Sequence, residues 1–262
     1  LSNAATLRST PSLQWLKASA TQPDGQGIKI MNASAGAGGV RQIGRLLLIQ
    51  NCPQFVSKLR TLITSAKEGL PGDAELSIHI FTGMGGGTGA GIFLDTCYLV
   101  QYVLGTMGLQ GVAQVCGYFF LPDVNLAKVS SQDTREYIMG NGFASMQELD
   151  YCMNMEVNGG SWDQDYGNGV EVHTKNPPVK LAHLITATDS AGAIPMGVYN
   201  YAMRVAVDYV MEFLVRPKIS EGMNNDVFTI ESHISNVYSK IDMVKKQRGA
   251  CYNYCVLGAS CA

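Results

Sequence analysis

Short apolar runs alternate with longer stretches of helical spacing along this chain. The runs are continuous rather than alternating in polarity, which is typical of strands covered on both faces of a sheet. They lie at 28–30, 76–81, 112–121, 181–187 and 252–257. Between them, apolar positions recur every three or four residues and predict helices beginning near 40, 53, 92, 132, 199 and 226. Strands and helices in this order predict an α/β fold with a parallel sheet.

One segment, 157–178, departs from this pattern. It is polar and rich in Gly, Asp and Asn. Val170, Glu171 and Val172 alternate in polarity, as in a strand with one covered face. We therefore expect a surface hairpin, inserted before the strand at 181–187.

Composition narrows the class of protein. Apolar residues make up 46% of the chain and charged residues 15%, which suits a covered α/β core or a surface buried against partners. The net charge of −2 gives no reason to expect nucleic acid or an anionic membrane as a partner. The most apolar stretch, 92–104, contains Asp95 and Gln101 and is too short to span a bilayer.

The seven cysteines are scattered among apolar neighbours. This distribution is typical of reduced, buried thiols in a cytoplasmic protein. Cys251, Cys255 and Cys261 cluster near the end of the chain, but their spacing matches no zinc pattern. We therefore expect a cytoplasmic protein whose cysteines belong to the core.

Two glycine-rich turns each follow a predicted strand, at 36–39 and 85–91. Glycine lets the backbone approach a ligand closely and take positive φ, and amides at the start of a helix attract anions. Neighbouring parallel strands bring such turns to one edge of the sheet, where two amide-rich loops suit a di- or triphosphate. Arg41, just after the first turn, either reaches a phosphate or forms a surface salt bridge.

Several interpretations of the second turn compete. A Walker-type phosphate loop ends in Gly-Lys-Ser/Thr, but here Thr88 is followed by Gly89 and Ala90, without a lysine. A Rossmann dinucleotide loop needs an acidic residue near the end of the next strand, and 105–115 contains none. The turn can also be purely structural, serving a hairpin or close helix packing.

The string GGGTGAG at 85–91, directly after a predicted buried strand, closely resembles the signature loop of the tubulin/FtsZ superfamily. GAGG at 36–39 resembles the loop that faces the terminal phosphate in this family. The resemblance implies a Rossmann-like domain, with a mostly parallel sheet, helices on both faces and a long central helix after it. It also implies GTP or GDP as the ligand, with Mg²⁺ held through phosphates and water. The implied phosphate-binding residues are Gly36, Ala37, Gly38, Gly39, Gly85, Gly86, Gly87, Thr88 and Gly89.

The same resemblance assigns residues to the ribose and the base. Pro122 and Asp123 lie where the family has its ribose-side loop. Asp189 ends a strand where the family places an Asn or Asp, and a carboxylate there accepts the two donors that guanine offers and adenine lacks. Met196 and Asn200 occupy the positions that pack on the base and bond its edge. A helix N-cap for Asp189 and ordinary core packing for Met196 stay open as alternatives.

Residues 222–226 resemble the family's catalytic loop and place Asn224 and Asp226 in catalytic roles. In the family this loop reaches the nucleotide of the next subunit and positions the attacking water, so hydrolysis depends on assembly. Thr229 stands where a second acid usually follows, and Glu231 lies two residues beyond it. A polymerising, nucleotide-binding scaffold with little hydrolysis is therefore the alternative to an assembly-coupled GTPase.

The resemblance divides the chain into three parts. Residues 5–198 correspond to a partial GTP-binding domain, 199–250 to the central helix with the loop and helix that follow, and 251–262 to the start of a truncated C-terminal domain. The family's first glycine loop has no counterpart, which indicates a divergent bacterial member. The implied partners are copies of the same chain, arranged head to tail in a cytoskeletal filament.

Overall fold

The structure is a computed structural model that describes residues 9–16, 36–72, 74–126, 128–187, 198–215 and 254–258. The strands are β1 (Leu76–Gly83), β2 (Ala113–Phe120), β3 (Trp162–Asp165), β4 (Glu171–Thr174), β5 (Leu181–Thr186) and β6 (Tyr254–Gly258). The α-helices are α1 (Arg41–Gln50), α2 (Cys52–Lys67), α3 (Thr88–Thr106), α4 (Pro122–Leu126), α5 (Gln132–Met153), α6 (Met155–Asn158) and α7 (Val198–Val215). A short 3₁₀ helix at Pro11–Leu13 precedes them.

Helices and strands alternate as the apolar pattern predicts. The prediction of one helix over 132–155 differs in detail, because α5 ends at Met153 and the short α6 follows. Asn154 separates the two helices with φ −114° and ψ 19°, outside the helical region. The strand predicted at 28–30 and the helix predicted from 226 lie outside the described residues.

Four strands form one parallel sheet in the order β1-β2-β5-β6. Gly83, the last residue of β1, pairs with Phe120, the last residue of β2. The carboxyl ends of these neighbours therefore lie at the same edge, and the glycine turn at 84–87 begins there. The late strand β6 pairs with β5 and belongs to this sheet.

Helices cover both faces of the sheet, as expected for a Rossmann-like α/β domain. Successive residues of β2 point to opposite faces. Val115 and Phe119 join a core built with α1, α2, α3 and α5. Tyr118 and Phe120 join a second core built with α7.

The segment after α6 forms an antiparallel hairpin of β3 and β4, with Trp162 opposite Thr174. The hairpin is not free at the surface. Tyr166 is 1% exposed and Val172 7% exposed, and both join the larger core. The ring of Trp162 stacks on Tyr98 of α3, with centroids 4.4 Å apart. One side of the insertion is therefore part of the domain core.

Four cysteines in the described residues, Cys52, Cys97, Cys116 and Cys152, are buried and free. Burial raises the pKa of Cys52 to about 11, so this thiol stays protonated at neutral pH. Among the described residues, no helix is long and apolar enough to cross a membrane.

Candidate functional site

The two glycine-rich turns lie at the carboxyl edge of the sheet. Residues 84–87 join β1 to α3, and residues 36–39 lead directly into α1. Gly36, Gly38 and Gly39 have φ values of 71°, 55° and 84°. These left-handed conformations strain a residue with a Cβ atom, which explains why glycine is needed there. Turns of this kind point backbone amides into a shared concavity that attracts anions.

The structure brings the two turns into direct contact. The amide of Ala37 donates to Oγ1 of Thr88, 3.1 Å away. A Cβ atom at Gly87 would lie 2.5 Å from the carbonyl carbon of Gly39 and 2.6 Å from the amide nitrogen of Val40. Since real Cβ contacts are not this short, only glycine at position 87 lets the turns pack in this way. The predicted phosphate-binding residues therefore form one cluster.

Close packing of α1 against α3 supports this cluster. A Cβ atom at Gly91 would lie 2.1 Å from the carbonyl oxygen of Arg41, and one at Gly44 would lie 2.4 Å from that of Gly87. The two helix starts are thus held at backbone contact by glycines on both sides. Of these two glycines, Gly91 belongs to the GGGTGAG motif and Gly44 does not.

The cluster is electropositive through its backbone. The first amides of an α-helix have no partner inside the helix and carry the positive end of its dipole. Within the described residues, no hydrogen bond uses the amides of residues 85–90 as donors. The start of α3 is therefore a site where an anion gains several hydrogen bonds at once.

Pro122 and Asp123 begin α4, directly after β2. Oδ2 of Asp123 accepts hydrogen bonds from Oγ1 of Thr186, at 2.5 Å, and from the amide of Ala187, at 2.7 Å. The carboxylate thus fixes α4 to the end of β5. A Cβ atom at Gly142 would lie 1.9 Å from the ring of Pro122, so α5 packs closely against the same turn.

Of the remaining predicted site residues, Asn200 alone lies in the part of the chain that the structure describes. Asn200 lies in the first turn of α7 and is exposed. Asp189 and Met196 lie outside the described residues, as do Asn224 and Asp226.

Arg41 forms a salt bridge, which is one of the two roles that the sequence left open. Its guanidinium pairs with Glu148 of α5. Nε and Nη2 of Arg41 also donate to the carbonyl oxygen of Ala90, both at 3.2 Å. Arg41 therefore holds α1, α3 and α5 together.

Asn141 of α5 is a site residue that sequence reasoning missed. Its Nδ2 donates to the carbonyl oxygen of Gly39 at 2.8 Å and to that of Gly85 at 3.1 Å, so one amide bridges both turns. No motif marks it, because an asparagine within a helix is not distinctive in sequence. A cleft of about 540 Å³ beside it is lined by Asp133, Glu136, Tyr137, Gly140 and Asn141.

A separate cavity of about 560 Å³ is lined by both tryptophans of the chain and by Arg41 and Arg45. Arg41 is paired with Glu148 and Arg45 with Asp95. An anion there would meet cations already neutralised by carboxylates, so the cavity does not compete with the glycine turns as a phosphate site. Among the described residues, no group of three His, Cys, Asp or Glu side chains is placed to hold a metal ion.

Comparison with known proteins identifies the family. A family described as tubulin-like matches residues 2–261, nearly the whole chain. Comparisons with curated proteins and with solved structures gave no match. The parallel sheet with helices on both faces agrees with the fold expected of that family. The chain belongs to the tubulin-like family.

Proposed function

We propose that this protein binds GTP across the two glycine turns and hydrolyses it to GDP and phosphate when copies of the chain assemble head to tail into filaments. Membership of the tubulin-like family supports a nucleotide-binding protein of the tubulin/FtsZ type. The observation that carries the proposal is the contact between the turns, in which the amide of Ala37 meets the hydroxyl of Thr88 at 3.1 Å.

The phosphates bind to backbone groups in this proposal. Amides of the turns at 36–39 and 85–89 surround them, except that of Ala37, which donates to Thr88 and joins the turns. The start of α3 adds the positive end of a helix dipole. Backbone amides pre-oriented by glycine turns lose little entropy when the anion arrives. Negative charge on the nucleotide is therefore stabilised without a dedicated lysine.

Mg²⁺ fits the same site as a companion of the nucleotide. The described residues bring no cage of acidic or imidazole ligands together. Mg²⁺ commonly binds through substrate phosphates and keeps several waters, so it needs no such cage. When bound, it neutralises charge on the phosphates, and we assign it no protein ligand.

The ribose and the base extend from the loops towards α4 and α7 in this proposal. Pro122 and Asp123 contact the ribose side, and Asp189 accepts the N1–H and the exocyclic amino group of guanine. Met196 packs on the base and Asn200 bonds its edge. Asn200 lies in the first turn of α7, and α7 packs against α4 and β5, which supports this arrangement.

Hydrolysis takes place at the junction between subunits in this proposal. Asn224 and Asp226 of one subunit orient a water at the nucleotide of the next, and Asp226 accepts its proton. The water oxygen bonds to the γ-phosphorus while the bond to the bridging oxygen breaks, so GDP leaves with that oxygen. Thr229 stands in place of a second acid. This favours slow hydrolysis, and with it the alternative function of a polymerising scaffold that binds nucleotide and hydrolyses little of it.

Thermal unfolding with GTP, GDP and ATP tests nucleotide binding and base choice together. A ligand present at a hundred times its Kd adds about 2.7 kcal/mol to the free energy of unfolding. We expect this stabilisation from GTP and GDP and a smaller one from ATP, because adenine lacks the donor pair that Asp189 accepts. Equal shifts from GTP and ATP would remove the guanine assignment, and no shift from either would remove the nucleotide site.

A further inference from the structure

Helix α5 presents a row of polar side chains to the glycine turns. Asn141, Ser145 and Glu148 are spaced by four and three residues, which places them on one face of the helix. A helix that only packs on a core presents apolar residues on that face. Here Ser145 is fully buried, with 0% of its surface exposed. Burying polar groups is costly unless they are hydrogen-bonded, so their partners define what the row does.

Two members of the row bond to consecutive carbonyls of the second turn. The hydroxyl of Ser145 donates to the carbonyl oxygen of Met84 at 3.2 Å, and Nδ2 of Asn141 donates to that of Gly85 at 3.1 Å. In a trans peptide unit the C=O and the N–H point in opposite directions. The amides of Gly85 and Gly86 therefore point away from these two side chains.

The space around Gly86 is open, since a Cβ atom there would meet nothing within 4 Å. The row thus keeps the carbonyl oxygens of Met84 and Gly85, which repel phosphate, turned towards α5. The amides of Gly85 and Gly86, in the same peptide units, stay available to a ligand. Asn141 also holds the carbonyl oxygen of Gly39 at 2.8 Å, which ties the first turn to the same side chain.

Glu148 extends the row to the helix starts. It pairs with the guanidinium of Arg41, the first residue of α1, with Oε1 3.0 Å from Nη1. That guanidinium also donates to the carbonyl oxygen of Ala90 in the first turn of α3. Both glycine turns and both helices that follow them are therefore bonded, directly or through Arg41, to one face of α5.

We propose that Asn141, Ser145 and Glu148 form a polar clasp of positioning residues, which orients the two glycine turns for the phosphates of the nucleotide. The clasp rests on the proposed nucleotide site. It acts on phosphate binding and not on the base, because each of its contacts is with the turns or with the helix starts behind them. None of its members needs to touch the ligand.

The test measures the affinities of GTP and of guanosine for the full chain and for three variants. Asn141→Ala removes the bridge between the turns, and Ser145→Ala removes one hydroxyl with little change of shape. Gln147→Ala is the matched control, since Gln147 lies on the same helix, is exposed and makes no hydrogen bond to the turns. Unfolding temperatures of all four proteins report whether the fold is kept.

We expect Asn141→Ala to weaken GTP binding about tenfold and Ser145→Ala about fivefold, the loss of one or two oriented hydrogen bonds. Guanosine, which has no phosphate, should bind the variants and the wild type equally. Gln147→Ala should bind both ligands like the wild type. If Asn141→Ala does not fold, the nearly isosteric Ser145→Ala decides the outcome.

Two results would overturn the clasp while leaving the proposed function intact. One is unchanged GTP affinity in both variants. The other is an equal loss of GTP and guanosine binding, which marks a general structural role. A wild-type chain that binds no GTP would remove the proposed function and the clasp together, so the two failures are distinguishable.

Discussion

Gly86 and Gly87 are neighbours in the second turn with opposite surroundings. A Cβ atom at Gly86 would meet nothing within 4 Å, whereas one at Gly87 would lie 2.5 Å from the backbone of Gly39. Backbone atoms cannot move aside as the end of a flexible side chain can. A single methyl group at position 87 therefore has to push the two turns apart.

We expect Gly87→Ala to lower the free energy of unfolding by about 2 kcal/mol, the usual cost of forcing atoms into a packed site. GTP binding should fall with it, because the turns no longer converge. Gly86→Ala, measured by the same denaturant titration, should change stability by less than about 0.5 kcal/mol. Equal stabilities of the two variants would show that the turns do not pack as described.

The sequence pattern predicts the glycine cluster but not the reason for each glycine. Gly87 has φ −77°, so its need for glycine comes from the contact with Gly39 and not from a left-handed backbone. The role of Asn141 could not be predicted because its hydrogen-bond partners lie 102 and 56 residues away in the chain. Spacing patterns report local structure, and a bridge between distant turns leaves no local pattern.

A buried ion pair joins helix α1 to helix α3. Nε of Arg45 lies 2.9 Å from Oδ2 of Asp95, whose side chain is 3% exposed. The network continues into the hairpin insertion, where Tyr166 donates to Asp95 at 2.8 Å and Gln164 accepts from Arg45 at 2.8 Å. Burial and the Asp95 carboxylate raise the pKa of Tyr166, so its hydroxyl stays a donor.

We expect Asp95→Asn to destabilise the chain by about 3 kcal/mol, because the largely buried guanidinium of Arg45 loses its hydrogen-bonded carboxylate. The control is Asp208→Asn, which removes the exposed pair between Arg204 and Asp208 on α7. That change should cost less than about 0.5 kcal/mol. Urea unfolding of both variants makes the comparison, and a small loss in Asp95→Asn would contradict the role of the pair.

A row of rings covers the second face of the sheet. His183 of β5 stacks on Tyr118 of β2, with centroids 4.4 Å apart and planes at 4°. Its Nδ1 lies 3.0 Å from the carbonyl oxygen of Gly117, and its Nε2 lies 3.1 Å from the hydroxyl of Tyr209 on α7. Burial lowers the pKa of His183 to about 4, so the imidazole is neutral in the native state.

This burial predicts a loss of stability in acid. An unfolded histidine has a pKa of about 6.5, so between that value and about 4 the unfolded chain binds a proton that the native chain does not. The contribution is fully present above pH 6.5 and is lost as the pH falls. Between pH 7 and pH 5, this residue lowers the free energy of unfolding by about 2 kcal/mol.

Thermal unfolding of the wild type and of His183→Phe at pH 7 and pH 5 tests this predicted loss of stability in acid. Phenylalanine keeps a ring on Tyr118 but does not titrate. The variant is expected to be less stable at pH 7, since it lacks two hydrogen bonds, yet to lose about 2 kcal/mol less on acidification. An identical pH dependence in both proteins would mean that His183 is not held neutral.

Most elements could be predicted because their signals are local. The apolar runs gave β1, β2 and β5, and helical spacing gave α2 and α7. The hairpin was predicted from alternation, but its attachment was not. Tyr166 is one of its fully buried side chains, and its partner Asp95 lies 71 residues away in the chain.

The sheet is parallel, as the continuous apolar runs predict, and the second glycine turn leaves it at the carboxyl end of β1. The first turn lies against it through the contact between Ala37 and Thr88. The pairing of β6 with β5 was not foreseen, because it joins residues such as Ala182 and Tyr254 across a long stretch of chain. In a parallel sheet, the crossover connections determine which strands become neighbours, and the sequence alone does not show this order.

Assembly is the property of the whole molecule on which the proposed hydrolysis depends. The described residues include the glycine turns that we propose to bind phosphate, and the acid proposed to orient water, Asp226, lies outside them. If Asp226 serves the nucleotide of a neighbouring subunit, activity per subunit has to rise with protein concentration. A site complete within one chain would show no such dependence.

We expect Asp226→Ala to bind GTP like the wild type and to release almost no phosphate at any concentration, since phosphoryl transfer depends on an oriented nucleophile. Phosphate release over a concentration series measures this, with light scattering to follow assembly. Glu231→Ala is the matched control, because it removes a nearby acid that the mechanism does not use. Normal hydrolysis in Asp226→Ala with a loss in Glu231→Ala would move the role to Glu231. Wild-type hydrolysis that is independent of concentration would rule out a site shared between subunits.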